Sequence, residues 1–182
     1  MYGIGMTARL SKQDWLDHGL KVLATSGVTA LKAEPLAKSL NVSRGSFYWH
    51  FADIGKFRQE LLARWQARVT ENTITEIERQ GETANRLNRL MQIAMQADDK
   101  LERAVRSWAT QDPVAGKSVT KVDKIRLGYL SEILQNTGIP KRHANARAQF
   151  IYWAWLGQIM MGKSGNKMKP GDINALSELM KS

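Results

Sequence analysis

The densest run of groups able to bind another molecule lies between Ser43 and His50, in the sequence Ser-Arg-Gly-Ser-Phe-Tyr-Trp-His. Its first half offers a guanidinium, two hydroxyls and a glycine that leaves room for close approach. The guanidinium of Arg44 can donate two parallel hydrogen bonds to the edge of a guanine. Tyr48 and His50 can reach phosphates, and Tyr48 can also contact a thymine methyl. This combination is typical of a helix that enters the major groove of DNA by its first turn.

Residues suited to catalysis or to metal binding are not grouped in this way. His18, His50 and His143 are far apart in the chain, and no two of them form a metal-ligand pair at helical spacing. Asp98 and Asp99 are adjacent, but neighbours on a helix point in different directions, and Asp99 fits a helix cap. The chain has no cysteine, which excludes disulfides, thiol nucleophiles and cysteine zinc sites. The sequence therefore predicts that the protein is not an enzyme and has no metal or cofactor.

The elements that position the 43–50 run are predicted to be helices, because apolar residues recur at spacings of three and four with hardly any alternation. Ser11 is expected to cap the first helix together with Asp14, and the later helices are expected to be capped by Ser43 and Asp53. Asn41 is expected to take a left-handed backbone conformation in a tight turn. The predicted helices run from about 11–26, 35–40, 44–50, 54–79, 83–97, 99–110, 113–137, 140–163 and 170–180.

Residues 32–51 form a predicted helix-turn-helix, two short helices joined by a turn of small residues. One set of side chains is apolar and expected to be buried together: Ala33, Leu36, Ala37, Leu40, Val42, Phe47 and Phe51. The set that remains outward on the second of these helices is Ser43, Arg44, Gly45, Ser46, Tyr48, Trp49 and His50. A three-helix scaffold with no role in DNA binding is the alternative.

Residues 11–62 resemble the DNA-binding domain of TetR-type transcriptional regulators. The resemblance is carried by a first helix that ends at Gly27, by Leu-Ala at 36–37, by Asn-Val-Ser at 41–43, and by Gly-Ser-Phe-Tyr-Trp-His-Phe at 45–51. It implies that Arg44, Gly45 and Ser46 face bases. It also implies that Ser43, Tyr48 and His50, with Trp49 beside them, face mostly the DNA backbone.

Two positions depart from the pattern of this family. Lys32 stands where the family commonly has Thr or Ser, and Ile54 stands where it commonly has a phosphate-binding Lys or Arg. Lys32 can still meet a phosphate through its charge. Lys56, two residues after Ile54, can substitute for the missing cation. Both lysines are therefore predicted phosphate contacts.

The charge of the chain favours a polyanionic partner, since 27 Lys and Arg against 17 Asp and Glu give a net charge of +10. The first 60 residues hold 8 and 5 of these, a balance of +3, and the remaining 122 hold 19 and 12, a balance of +7. The excess is thus not concentrated in the predicted DNA-binding part. The cations Lys117, Lys121, Lys124 and Arg126 are interpreted as a solvated helix face, and a second DNA surface is the alternative.

The run from Phe150 to Met161 is apolar on every side of its predicted helix, so it must be covered all round. It is too short to span a membrane. One face can pack on its own domain, while the other, together with the last helix, is expected to form a symmetric four-helix dimer seam, as the resemblance also implies. Full burial within one chain is the alternative. The predicted interface comprises Ala144, Ala148, Ile151, Trp155 and Ile159.

The resemblance implies that the middle helices enclose a small-molecule pocket. Methionines adapt to irregular ligands and aromatic rings offer stacking faces. Ordinary core is the alternative for each position, and Arg103 and Arg106 are expected at the surface. The candidate pocket residues are Leu87, Leu90, Met91, Met95, Trp108, Tyr129 and Trp153.

The sequence thus predicts an all-α protein with a three-helix helix-turn-helix domain at 7–52 and a helical ligand-binding and dimerisation domain at 53–182. The predicted function is a homodimeric transcriptional repressor that binds double-stranded palindromic operator DNA and is released by an unknown small-molecule effector. The fourth helix, which is shared by both domains, is predicted to transmit the effect of effector binding to the DNA-binding domain. Without a signal peptide or a membrane span, cytoplasm is the expected location. A small-molecule-binding or adaptor protein of the same fold without DNA binding is the alternative.

Overall fold

The computed structural model describes residues 10–79, 85–162 and 167–182, and every regular element among them is helical. This confirms the predicted all-α class. A single 3-10 turn, Val28–Ala30, follows the first helix. The α-helices are α1 (Lys12–Ser26), α2 (Ala33–Ser39), α3 (Arg44–His50), α4 (Ile54–Gln66), α5 (Asn72–Arg79), α6 (Arg86–Gln96), α7 (Lys100–Ala109), α8 (Pro113–Gln135), α9 (Lys141–Met161) and α10 (Pro170–Lys181).

The helix predicted over 54–79 is continuous but not uniform. Between α4 and α5 lies a π-helical segment, Ala67–Glu71, in which the N–H of Asn72 donates to the carbonyl of Ala67. We call α4, this segment and α5 together the linking helix. Its predicted end at Gly81 and the predicted start of the next helix at Thr83 lie outside the described residues, as does much of the predicted 162–171 loop.

Helix starts follow the capping signals of the sequence. The Ser11 hydroxyl accepts from the N–H of Asp14 (3.2 Å), and the Asp14 carboxylate accepts from the N–H of Ser11 (2.7 Å). Asp53 accepts from the N–H of Lys56 at 2.7 Å. Ser43 occupies the N-cap position of α3, but its side chain makes no capping hydrogen bond. Asn41 has a φ of 56°, the left-handed conformation expected in that turn.

The first hydrophobic core joins α1–α4 to α7 and α8. Phe47 of α3 packs edge-on against Trp15 of α1, with ring centroids 5.5 Å apart, and also contacts Phe57 of α4. Val105 of α7 and Val119 of α8 belong to the same cluster. Packing is therefore continuous across residues 52 and 53, and the predicted domain boundary there stays a prediction.

The second core lies further from α3, among α5, α6, α8, α9 and α10. Ile77 of α5, Leu87 of α6 and Ile173 of α10 are all fully buried within it. The last helix packs on α6, where the side-chain amides of Asn88 and Gln92 donate to Asn174. The two cores meet along α8, which contributes to both.

Helices α1 and α4 approach closely because α1 has a glycine at their crossing. A Cβ placed on Gly19 would lie 2.6 Å from the Phe57 ring, which is too short for any side chain. Ion pairs flank this crossing. Lys12 binds Glu60, with the closest pair of atoms 2.6 Å apart, and Asp17 accepts two hydrogen bonds from Arg64.

We expect Gly19→Val to lower the free energy of unfolding by about 1–3 kcal/mol, because the new methyls overpack against the buried ring of Phe57. The matched control is Gly128→Val, which has open space around its Cβ on α8 and should stay within about 0.5 kcal/mol of wild type. Urea unfolding followed by circular dichroism gives both values. Equal stability of the two variants would show that α1 and α4 can separate at no cost.

Candidate nucleic-acid interface and internal cavity

Helix α3 has one face that the fold uses and one that it leaves open. Phe47 is fully buried against Trp15, Phe51 and Phe57, which fixes the orientation of the short helix. On the other side Trp49 is 69% exposed, and Tyr48 is exposed as well. Ala33, Leu36, Ala37, Phe47 and Phe51 are buried and Ser43, Arg44, Gly45, Tyr48 and Trp49 are exposed, as the sequence indicated, whereas Leu40, Val42, Ser46 and His50 are half-buried.

Arg44 is held over the open face by its neighbour one turn later. Its Nη2 donates to the Tyr48 hydroxyl at 3.1 Å, and the guanidinium lies 5.4 Å from the centre of the Tyr48 ring. The hydrogen bond to Tyr48 raises the pKa of Arg44, so the guanidinium stays charged. A cation fixed at the start of an exposed helix is well placed to reach a base edge.

The side chains at the first turn of α3 are also small enough for another molecule to approach the backbone closely. A Cβ on Gly45 would meet only the Ser43 hydroxyl, at 3.7 Å, so the packing of the protein itself does not require glycine there. Ser43, Arg44 and Gly45 are exposed, and Ser46 is half-buried. The open surface at this turn is therefore built from small side chains beside one cation.

His50 is directed differently from its neighbours on α3. Its Nε2 donates to the carbonyl of Leu10 at 3.0 Å, and the residue is half-buried. The side chain thus ties α3 to the segment before α1, and its predicted contact with the DNA backbone stays a prediction. Lys32, at the N-cap of α2, and Lys56, in the first turn of α4, are both exposed as their predicted roles require.

A cavity of about 500 Å³ lies deeper in the molecule, bounded by α1, the linking helix and α6–α9. Four of the predicted pocket residues, Leu90, Met91, Met95 and Tyr129, line it. Three others do not. Leu87 is core, Trp153 is 62% exposed on the outside of α9, and Trp108 packs in the first core with its Nε1 donating to Asp112.

The predicted dimer interface also requires correction, because those residues face inward. Ile151, Trp155 and Ile159 line the cavity, and Ala144 and Ala148 are buried in the second core. The opposite side of α9 is the one left open. Large apolar side chains exposed on α9 and α10 are Phe150, Trp153, Met160, Met161 and Leu179. The helix is apolar all round, so the sequence held no contrast from which to choose the face.

A network of buried charges forms one wall of the cavity. Arg126 donates to both oxygens of Glu102, at 2.9 and 3.2 Å, and through Nε to the Thr70 hydroxyl at 3.0 Å. Its guanidinium lies 5.7 Å from the centre of the Trp65 ring and 5.0 Å from that of Trp155. The sequence analysis placed Arg126 on a solvated face, but its side chain is only 13% exposed.

The network continues through Arg106, which was expected at the surface. Arg106 donates to Glu102 (2.9 Å), to both oxygens of Asp123 and to the Tyr152 hydroxyl (3.0 Å). That hydroxyl in turn donates to Asp123 at 2.6 Å. Two arginines and two carboxylates thus neutralise one another inside the body of the protein.

Burial and pairing act in opposite directions on the protonation of this network. Burial lowers the pKa of Arg106, but the hydrogen bond to Asp123 and the charge of Glu102 outweigh it, so the pKa lies above its usual value. For Arg126 the charge of Glu102 likewise outweighs burial. Burial raises the pKa of the Tyr152 hydroxyl, which stays protonated and can donate. The arginines stay charged at neutral pH.

The described residues contain no group of three His, Asp or Glu side chains placed to hold a metal ion. In the same part of the chain, no helix combines the length and the apolar character that a membrane span needs.

Comparison with known proteins links the first helices to one family. Residues 16–61 match the family model described as "Bacterial regulatory proteins, tetR family". The chain is 32% identical over 71 residues to the HTH-type transcriptional regulator AcrR of Shigella flexneri. This match covers 39% of the chain and 31% of that protein, so it reaches less than a third of the relative's length.

Solved structures of similar fold cover nearly the whole chain. Escherichia coli NemR in its reduced form superposes with a TM-score of 0.75 at 20% identity, over 92% of this chain and 95% of that one. A transcriptional regulator from Rhodococcus sp. Rha1 superposes with a TM-score of 0.69 at 19% identity, over 94% of each chain. Bacillus subtilis FadR, in complex with stearoyl-CoA, superposes with a TM-score of 0.67 at 16% identity, over 94% of this chain and 98% of that one. At these identities the likeness concerns the fold.

We expect Glu102→Ala to lower the free energy of unfolding by about 3–5 kcal/mol, because it leaves two buried guanidinium groups short of a carboxylate. The matched control is Glu178→Ala, which removes a carboxylate that is 70% exposed in its pair with Lys181 and should change stability by less than about 1 kcal/mol. Urea unfolding measures both. A loss of under about 1 kcal/mol for Glu102→Ala would mean that water solvates the arginines.

Proposed function

We propose that this chain is a transcriptional repressor of the tetR family, whose family model matches residues 16–61, and that it binds a specific DNA operator through α3. In this proposal it acts as a homodimer, and a small molecule bound in the cavity releases it. The observation that carries the proposal is the open face of α3, where Arg44 and small residues project from a helix anchored by Phe47.

The reading of DNA follows from the shape of this surface. The first turn of α3 enters the major groove, Arg44 and Ser46 contact base edges, and Gly45 permits the approach. Ser43, Tyr48 and Trp49 lie against the backbone, with Lys32 and Lys56 on phosphates at either side. Two copies bind a palindromic operator, with recognition helices one helical turn, roughly 34 Å, apart or a multiple of it.

The homodimer is supported by the exposed apolar side chains of α9 and α10. Trp153 and Phe150 project from the middle of α9, and Leu179 from α10, with more than half of each side chain exposed. An apolar surface of this kind is costly in water and is typical of an association face. A pair of helices from each chain forms a symmetric seam there.

Release by a ligand is supported by the path between the cavity and α3. Val69 and Thr70 of the linking helix line the cavity, and Phe57 of the same helix packs directly on Phe47 of α3. The π-helical segment lies between these two contacts, and π turns inside helices are frequent at functional sites. A ligand that prefers one arrangement of this helix changes the distance between the two copies of α3.

The alternative function is a small-molecule-binding protein that does not bind DNA, which the cavity alone would favour. Selection of bound fragments from a random DNA pool, followed by a gel shift, separates the two. Enrichment of one palindromic motif supports the regulator. Binding of no DNA would leave only the alternative, and equal affinity for all sequences would rule out a specific operator.

We expect Arg44→Ala to weaken binding to the selected operator by about 1–3 kcal/mol and to relax the preference at one base position of each half-site. Lys56→Ala should instead weaken binding to specific and random DNA by similar factors. Its salt slope should become shallower by about one unit per chain, because one fewer counterion is released. Operator affinity across a salt series measures both effects.

The two variants serve as controls for each other, since both side chains are exposed and neither change should unfold the protein. An equal loss on all sequences for Arg44→Ala would make Arg44 a phosphate contact. An unchanged slope for Lys56→Ala would show that Ile54 marks a real gap in the phosphate contacts.

We expect Trp153→Glu to convert the dimer into a folded monomer and to abolish operator binding, because it places a charge at the centre of the apolar face. Analytical ultracentrifugation and circular dichroism measure assembly and fold. Lys117→Glu, a charge change at an exposed position of α8, is the matched control and should stay dimeric. A dimeric Trp153→Glu variant, or a monomeric wild type, would contradict the proposed seam.

A further inference from the structure

We infer that the cavity binds an anionic amphiphile with a single hydrocarbon chain, whose charged group lies at a basic opening formed by Lys21, Arg68 and Lys100. The inference rests on the proposed function, because it names the chemical class of the effector. It assigns a charged subsite that touches the first helix of the DNA-binding part. The argument has three steps: the cavity interior, the opening, and the position of the opening between elements.

The interior favours hydrocarbon, because its polar groups are already bonded to the protein. Thr70 accepts from Arg126, the Tyr152 hydroxyl donates to Asp123, and Trp155 Nε1 donates to the carbonyl of Ala94 at 3.1 Å. A polar ligand group placed among them would lose its bonds to water without replacing them. The Tyr129 hydroxyl has no partner in the described residues, but protein atoms enclose it away from the cavity surface.

The remaining wall is made of aliphatic and methionine side chains. Met91 and Met95 of α6 line the space together with Ile151 and Ile159 of α9. Methionine side chains adapt to flexible chains, and a volume of about 500 Å³ is within the range of known small-molecule sites. One alkyl chain fills such a space without requiring any specific polar contact.

The opening is basic. Lys21, Arg68 and Lys100 line the cavity with exposed side chains. Arg68 is 53% exposed and lies 4.0 Å from its nearest carboxylate, Asp17, which already accepts two hydrogen bonds from Arg64. Lys21 takes part in no ion pair within the described parts of the chain. Lys100 Nζ lies 3.6 Å from the Asp98 carboxylate in an exposed ion pair. Lys21 and Arg68 are therefore the cations most available to a ligand, and Lys100 adds charge beside them.

Two carboxylates also line the opening, and both already accept hydrogen bonds from the protein. Asp98 accepts from the N–H of Lys100 at 3.1 Å, and Asp99 accepts from Arg103 at 2.7 Å. A fourth cation, Lys167, donates to the carbonyls that end α6. The excess charge is therefore positive, which selects an anion and disfavours a cationic amphiphile.

The position of the opening explains how such a ligand would act. Lys21 belongs to α1, Arg68 to the linking helix and Lys100 to α7. An anion among them joins the DNA-binding part to the body. It also competes with Asp17 for Arg68, at the ion-pair cluster where Arg64 ties α4 to α1. Binding there favours one arrangement of α1 relative to α4.

The test uses the full chain without DNA and four probes with the same twelve-carbon chain. Laurate and dodecyl phosphate carry anionic groups, dodecanol is neutral, and dodecyltrimethylammonium is cationic. Isothermal titration calorimetry below the aggregation limit of each probe measures affinity. We expect both anions to bind at least about tenfold more tightly than dodecanol, and affinity to rise about fourfold per added methylene until the cavity is full.

Variants locate the two ends of the ligand. Lys21→Ala and Arg68→Ala should each weaken laurate binding about threefold to tenfold and leave dodecanol binding unchanged. Lys117→Ala, an exposed lysine remote from the opening, is the matched control and should bind like wild type. Ala94→Phe, which fills the cavity from α6, should abolish binding of every probe.

Equal affinity for laurate and dodecanol would overturn the inference, and so would tighter binding of the cationic probe or full laurate binding by Lys21→Ala and Arg68→Ala together. Tighter binding of dodecyl phosphate than of laurate would indicate that the ligand has a phosphate head group. Tighter binding of laurate would indicate a carboxylate head group. Operator selection is measured separately. DNA binding without laurate binding would reject this effector class alone, whereas laurate binding without DNA binding would reject the regulator.

Discussion

The close crossing of α1 and α4 at Gly19 and Phe57 determines where both functional regions lie. The missing side chain at Gly19 lets the Phe57 ring pack against α1, and the same ring contacts Phe47 of α3. The orientation of the exposed helix α3 therefore depends on a contact between two other helices. Because α4 continues through the π-helical segment into the cavity wall, any displacement at the cavity reaches this crossing along one helix.

Buried charge gives the cavity wall a defined geometry that hydrophobic packing alone would not provide. Arg126 lies between two tryptophan rings and is paired with Glu102, and its third partner is Thr70 of the π-helical segment. Removing charges from water is costly, so such a network persists only when each member has its partners. The polar groups of this wall are therefore already bonded, and in the proposed function apolar contact and the charged opening select the ligand.

Helix α9 has two apolar faces. Its inner face, with Ile151 and Trp155, borders the cavity, while its outer face, with Phe150 and Trp153, is exposed and forms the seam of the proposed dimer. A ligand chain in the cavity and a second copy of the protein would therefore contact opposite sides of one helix. Ligand binding and assembly are physically adjacent in this arrangement, although each uses its own side chains.

The sequence by itself determined the helical class, the capping at Ser11 and Asp53, the left-handed turn at Asn41 and the buried and open faces of α3. These features depend on residues within a few positions of one another, so local spacing is enough to predict them. The tertiary structure decided which face of α9 turns inward, because a helix that is apolar all round contains no local signal of direction. It also placed Arg126 inside, since the partners that make its burial possible come from helices distant in sequence.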